Sequence, residues 1–189
     1  MQDLNQYSKI LGLLKKKKII EAKNLAIKKL HHNTKDPLLL NILGVICIEN
    51  KEYDQAIDFL KNAILIDKNF YEAYNNLGIA LKNDRQEDKA IYVLNAGISI
   101  NKNFPPFHEN IGRSFYQLNK IEDAKKAYQK CLNINSKNKK VVVLLAEIYS
   151  ENKQYSKALK VYKNYLKLEK NDHDILNLIG IILSEFNIK

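Results

Sequence analysis

Arginine, proline, glycine, cysteine and tryptophan are all scarce in this 189-residue chain: two arginines, three prolines, six glycines, two cysteines and no tryptophan. So few glycines and prolines exclude a collagen-like or Pro-rich linker composition. Two cysteines, Cys47 and Cys131, cannot build a disulfide framework or a metal site; both lie in apolar periodic stretches, where a thiol acts as a small hydrophobe. With Arg85 and Arg113 as the only arginines, the bidentate recognition of phosphate or guanine that arginine provides has little to draw on. No long apolar run exists either; the longest charge-free one, residues 37–48, is too short to cross a bilayer. The run Lys15–Lys18 follows the first apolar stretch instead of preceding it, which is not the order of a signal peptide, and a cytoplasmic location is expected.

What is abundant is lysine. Basic residues number 31 against 21 acidic ones, a formal charge of +10, while 46% hydrophobic residues exclude wholesale disorder. A balance of that kind invites a nucleic-acid or anionic-membrane partner. Placement along the chain weakens that reading: residues 1–36 carry +6, residues 37–104 carry −2 and residues 105–189 carry +6. No continuous basic stripe follows, and no specific nucleic-acid partner and no membrane span are expected. The sharpest run, Lys15–Lys18, reads as a solvated helix-to-helix turn.

Spacing carries more information than charge. Ala22, Ala56, Ala90, Ala124 and Ala158 recur every thirty-four residues, as do Gly44, Gly78 and Gly112, with Ala146 and Gly180 in the next two slots. Each of these is preceded by an aliphatic residue: Leu43, Leu77, Ile111, Leu145 and Ile179. Within a unit the apolar period is helical and fits two helices, one through Leu40, Leu43, Gly44 and Cys47 and one through Ala56, Leu60, Ala63 and Ile66. Polar breaks such as Asn50–Glu52 and Asp84–Gln86 separate the two helices, and Pro105 and Pro106 open another helix. A glycine inside a helix costs about 1 kcal/mol relative to alanine, so its fixed place implies close helix approach, with Gly44 facing Ala56. A hairpin this short cannot bury both faces alone, and neighbouring units must stack.

This pattern resembles the tetratricopeptide repeat, most clearly at Tyr74, Leu77, Gly78, Leu81, Ala90 and Leu94, and again at His108, Ile111, Gly112, Phe115, Ala124 and Tyr128. The departures are the missing tryptophan and the replacement of the closing proline by Lys68, Lys102, Ser136 and Lys170. The resemblance implies an all-α, right-handed superhelical solenoid of antiparallel helix pairs forming a single domain over 1–189. Its full repeats are 37–70, 71–104, 105–138 and 139–172, with a degenerate repeat at 3–36 and the first helix of another at 173–189.

Catalytic constellations are lacking: no phosphate-cradling glycine loop, no paired CxxC, no HExxH and no nucleophile elbow. His173, between Asp172 and Asp174, could pair with a carboxylate but reads as a solvated inter-repeat turn, and the other three histidines lack a partner set, so no catalytic residue, cofactor or metal is expected. The family resemblance implies instead a scaffold that binds a protein or peptide in the concave groove of its first helices. The groove slots hold Asn41, Asn75, Asn76, Glu109, Asn110 and Arg113. An asparagine there can donate and accept at once, which suits a peptide backbone. Asn76 and Asn110, one repeat apart, are similar to two rungs of the asparagine ladder of the O-linked N-acetylglucosamine transferase repeat domain; the abundance of asparagine in this chain is the plain alternative. The carboxylate-clamp pattern of chaperone-tail binders is matched less well, by Asn41, Val45, Pro106 and Asn110.

A second reading makes the chain the substrate-recruiting arm of a longer enzyme of glycosyltransferase or sulfotransferase type. It draws on the apolar face of Ile175, Leu178, Ile179, Ile182, Leu183 and Phe186, which has no second helix to cover it. Repeat arrays need polar caps, so that face is expected to meet a downstream domain or a second copy.

Overall fold

Apolar residues at intervals of three and four, broken by short polar stretches, build helices of nearly equal length. The computed structural model describes residues 2–32 and 35–185, and these contain eleven α-helices and no strand. The chain divides into two compact units, residues 1–102 and 103–189. The first holds α1 (Gln2–Lys15), α2 (Ile19–His32), α3 (Pro37–Glu49), α4 (Tyr53–Ile66), α5 (Tyr71–Asn83) and α6 (Glu87–Ile100). The second holds α7 (Pro105–Gln117), α8 (Ile121–Ile134), α9 (Lys139–Glu151), α10 (Tyr155–Leu166) and α11 (His173–Glu185).

The connections between paired helices share one geometry. Lys17, Lys51, Arg85, Asn119 and Lys153, each thirty-four residues from the last, adopt left-handed backbone with φ between 57° and 62°. The next residue's N–H then bonds back to a carbonyl five positions earlier, as Glu52 does to Cys47 at 2.8 Å and Gln86 to Leu81 at 2.9 Å. This is the Schellman closure, which satisfies carbonyls that the ended helix leaves open. The lysine run at 15–18 is the first of these turns. Glycine would take the left-handed position without strain; only Asn119 among these five is a residue type that visits it readily.

Helix starts differ from repeat to repeat. Asp36, Asn138 and Asp172 cap α3, α9 and α11 by accepting from the backbone N–H of Leu39, Val141 and Ile175 at 3.0, 3.2 and 3.3 Å. Phe70 and Phe104 hold the same slot before α5 and α7 and make no side-chain cap. Phe104 instead meets Phe107 edge-on at 5.2 Å between ring centres.

The thirty-four-residue alanines are the tightest points of the core: Ala22, Ala56, Ala90, Ala124 and Ala158 are completely buried. The helical glycines have a different partner from the one their spacing suggests. A Cβ added to Gly44 would lie 2.5 Å from Leu60 Cγ, and on Gly78 2.5 Å from Leu94; on Gly112 it would lie 2.5 Å from Tyr128 Cε1. The space at Gly44 is thus taken by a large residue sixteen positions on, not by Ala56. The same sixteen-residue relation links Ala146 with Tyr162 and Ile10 with Ala26, and both members of each pair are buried in one core cluster. Large and small trade places in the degenerate repeat at 3–36, and the repeat at 139–172 carries an alanine. Its helices α9 and α10 approach over less of their length than do the three glycine hairpins.

α11 corrects the expectation of an open C-terminal face. Ile175 and Ile182 are buried in a cluster with Tyr162 and Tyr165, and Leu178 and Ile179 pack partly against it. The exposed apolar residues of α11 are Leu176, Ile181 and Leu183. The helical period turns Ile175 and Ile182, two turns apart, toward α10. Phe186 lies outside the described residues.

Candidate functional site

The first helices of each pair carry the predicted groove residues, and each unit presents its own set. In the first unit, Asn41 of α3 and Asn75 of α5 are buried, and Asn76 is half-buried. The Asn76 side-chain amide donates to Asn41 Oδ1 at 2.9 Å. An asparagine pair of this kind fixes both amide planes while using one donor of Asn76 and one acceptor of Asn41. Each side chain thereby keeps an amide group to offer a passing backbone. Asn75 also has interactions of its own and belongs to the packed part of the helix face.

In the second unit the same face is charged. Glu109 of α7 accepts from Arg113 Nε at 3.3 Å and from Lys140 Nζ of α9 at 2.9 Å, and its second oxygen faces Asn138 Nδ2 at 3.4 Å. Burial pushes the Glu109 carboxyl up, but Lys140, Asn138 and Arg113 together outweigh it and hold the group below its ordinary range. Glu109 is therefore ionised at neutral pH and anchors two cations, leaving the cluster with one net positive charge. Arg113 gives only its Nε to Glu109, so the remaining guanidinium donors can take a carboxylate or a backbone carbonyl. Asn110 is buried on the adjacent position and is itself engaged.

Lys140 and Asn138 are the members that sequence reasoning missed. Lys140 stands thirty-four residues after Pro106, a slot that offers nothing in the preceding repeat. Asn138 reads as an inter-repeat spacer until its amide is seen to serve both the α9 cap and Glu109.

Reactive groups are few. Cys47 and Cys131 are buried free thiols, each pushed up to about 11 by burial, which keeps them protonated and inert. Burial, helped by Lys130, lowers His108, so its half-buried imidazole stays neutral. Among the described residues no group of three His, Cys, Asp or Glu is arranged to hold a metal, and no helix is long and apolar enough to cross a membrane.

Family comparison agrees with this architecture. Models of the tetratricopeptide repeat match residues 39–70, 59–92 and 115–182, together more than half of the chain. The chain belongs to the tetratricopeptide repeat family. No curated protein matches the sequence. Among solved structures, TTC0263, a thermophilic TPR protein of Thermus thermophilus, superposes with a TM-score of 0.73 at 19% identity, covering 95% of this chain and 98% of its own. YrrB, a TPR protein with an unusual peptide-binding site, gives 0.64 at 14% identity, covering 89% and 87%. The first TPR of Spaghetti (RPAP3), bound to the HSP90 peptide SRMEEVD, gives 0.58 at 23% identity, covering 61% and 91%. At these identities the likeness establishes the fold, an all-α tetratricopeptide solenoid.

Proposed function

We propose that this tetratricopeptide protein is a non-catalytic scaffold that binds an extended peptide or partner segment along the face made by its first helices. The observation that carries the reading is the pairing of Asn76 with Asn41, which holds two side-chain amides in fixed orientation on that face of the first unit. Backbone N–H and C=O groups of an extended segment need such two-way partners, and a pre-ordered pair lowers the entropy cost of binding. The second unit has its own polar cluster on its first helices, Arg113–Glu109–Lys140, with an excess positive charge suited to an acidic residue or a free carboxylate. Repeats of this family in YrrB and in Spaghetti are described with bound or bindable peptides, which favours the same use here.

The test is selection of a phage-displayed peptide library on the intact protein, followed by titration of the selected peptides. Asn76→Ala with Arg113→Ala is expected to weaken them at least tenfold, with helicity unchanged and the variant still fully folded at the assay temperature although its melting temperature falls slightly. Equal affinity in the double variant rules the first-helix face out.

A further inference from the structure

One glycine of the thirty-four-residue register lies open. A Cβ built on Gly44, Gly78 or Gly112 would run into Leu60, Leu94 or Tyr128 of the helix that returns along it, whereas one built on Gly180 of α11 would meet no described atom within 4 Å. Leu176 and Leu183 lie on the same stripe of α11 as Gly180 and are 43% and 36% exposed. In α5 the slot of Leu183 holds Leu81, which is 4% exposed and shares a core cluster with Ala90 of α6. The stripe borders a cavity of about 590 Å³, a size within the ordinary range of binding sites. Its apolar lining is Leu159 of α10 and Leu183; its polar lining is Ser156, Lys160, Lys163, Asn164 and Lys167.

The equivalent groove of the first unit shows how such a site is filled. There a cavity of about 540 Å³ is lined by residues of α4 and α5 and, from α6 and its N-cap, by Gln86, Lys89, Tyr92 and Val93. One helix does two things: it seats Leu94 on Gly78, and it presents Lys89 to a wall of α4 that holds Asp54 and Asp58. At those two slots α10 carries Ser156 and Lys160, so the charge of the wall is reversed. Among the five second helices described, α10 alone has no carboxylate. Lys160 and Lys163 form no ion pair among the described residues, and Lys167 donates to Asn164 Oδ1 at 3.2 Å. Stability does not call for three lysines at intervals of three and four, since like charges so spaced repel.

We infer that the groove of α10 and α11 receives an acidic amphipathic helix of a partner protein, docked as α6 docks on α4 and α5. A large apolar side chain of that helix seats on Gly180, and its carboxylates meet Lys160, Lys163 and Lys167. A second copy of this chain fits worse, because a two-fold pairing would bring a row of lysines against itself. None of these residues belongs to the first-helix face.

The probe is a fluorescein-labelled peptide of residues 86–100, the helix that fills the equivalent groove, carrying Gln86→Glu, Lys89→Glu and Tyr92→Glu. Its counterpart has lysine at the same three positions. The full chain, titrated by fluorescence anisotropy, binds the acidic peptide at least tenfold more tightly than the basic one. Lys160→Glu with Lys163→Glu abolishes that preference, although the chain keeps a net positive charge. Gly180→Leu lowers affinity for the acidic peptide at least tenfold without lowering the melting temperature, because the added side chain obstructs nothing in the free protein. Asn76→Ala with Arg113→Ala leaves binding unchanged. Equal binding of the two peptides, a preference that survives Lys160→Glu with Lys163→Glu, or full affinity in Gly180→Leu overturns the proposal. Loss of binding in Asn76→Ala with Arg113→Ala also overturns it, by assigning the peptide to the first-helix face. A concentration-dependent dimer of the unliganded protein that Gly180→Leu abolishes overturns it in favour of a second copy.

Discussion

In the first unit the glycines of α3 and α5 lie against leucines, Leu60 and Leu94; in the second, Gly112 of α7 lies against Tyr128, and Ala146 of α9 shares a core cluster with Tyr162. The polar faces diverge in parallel, with a neutral asparagine pair on the first unit and an ion cluster around Glu109 on the second. The lesson is a division of labour within one register. The small-against-large pair sixteen residues apart sets how closely two helices approach, and it tolerates changes in the large member. Positions outside that pair are free to diversify, and the two units have used that freedom in opposite directions.

Removing the large member gives the largest expected effect. Tyr128→Ala should cost about 3–5 kcal/mol and Leu94→Ala about 2–5 kcal/mol in denaturant unfolding, because each leaves a hole in a fully buried hairpin core. Adding to the small member comes next. Gly112→Ala should destabilise by about 1–3 kcal/mol despite the better helix propensity of alanine, and by more than Gly44→Ala does. The reason is rigidity: a leucine can change rotamer to make room, whereas a tyrosine ring must move as a body.

The third prediction separates the polar faces. Glu109 is held below the ordinary glutamate value of 4.5, so its contribution to folding is complete above that value and is lost as pH falls through its lower folded value. Glu109→Gln should cost about 1 kcal/mol at neutral pH, and the gap to the parent protein should close on acidification. Thermal melts of both proteins between about pH 6 and about pH 3 read this directly. Asn41→Ala, on the first unit, should show a pH-independent difference, since that pair does not titrate. The smallest effect is a gain: Lys51→Gly or Arg85→Gly should stabilise by up to about 1 kcal/mol by relieving left-handed backbone, and Asn119→Gly by less.

Much of this frame was legible before any coordinates. A residue fixed every thirty-four positions by close packing must be small, and Ala22 through Ala158 are all buried. Asn41, Asn76, Glu109 and Arg113 were found as polar residues at first-helix slots, because the register alone names the slot. Their partners were not. Whether Asn76 meets Asn41, or Glu109 meets Lys140, depends on the rotation of one helix against the next, which a periodic pattern leaves open. The glycine partner was misplaced for the same reason: Ala56 is nearer in sequence, but the antiparallel return brings Leu60 level with Gly44. The face of α11 was misread because an apolar stripe does not say which neighbour covers it, and Tyr162 and Tyr165 of α10 do.

The claim beneath all of this is that a small residue faces a large one and that each is constrained by the other. A double-mutant cycle on Gly78 and Leu94, read by denaturant unfolding, tests it most directly. Gly78→Ala is expected to destabilise the parent protein but to become neutral or stabilising, by up to about 1 kcal/mol, once Leu94→Ala has removed the obstructing side chain. The same cost for Gly78→Ala in both backgrounds would contradict the account.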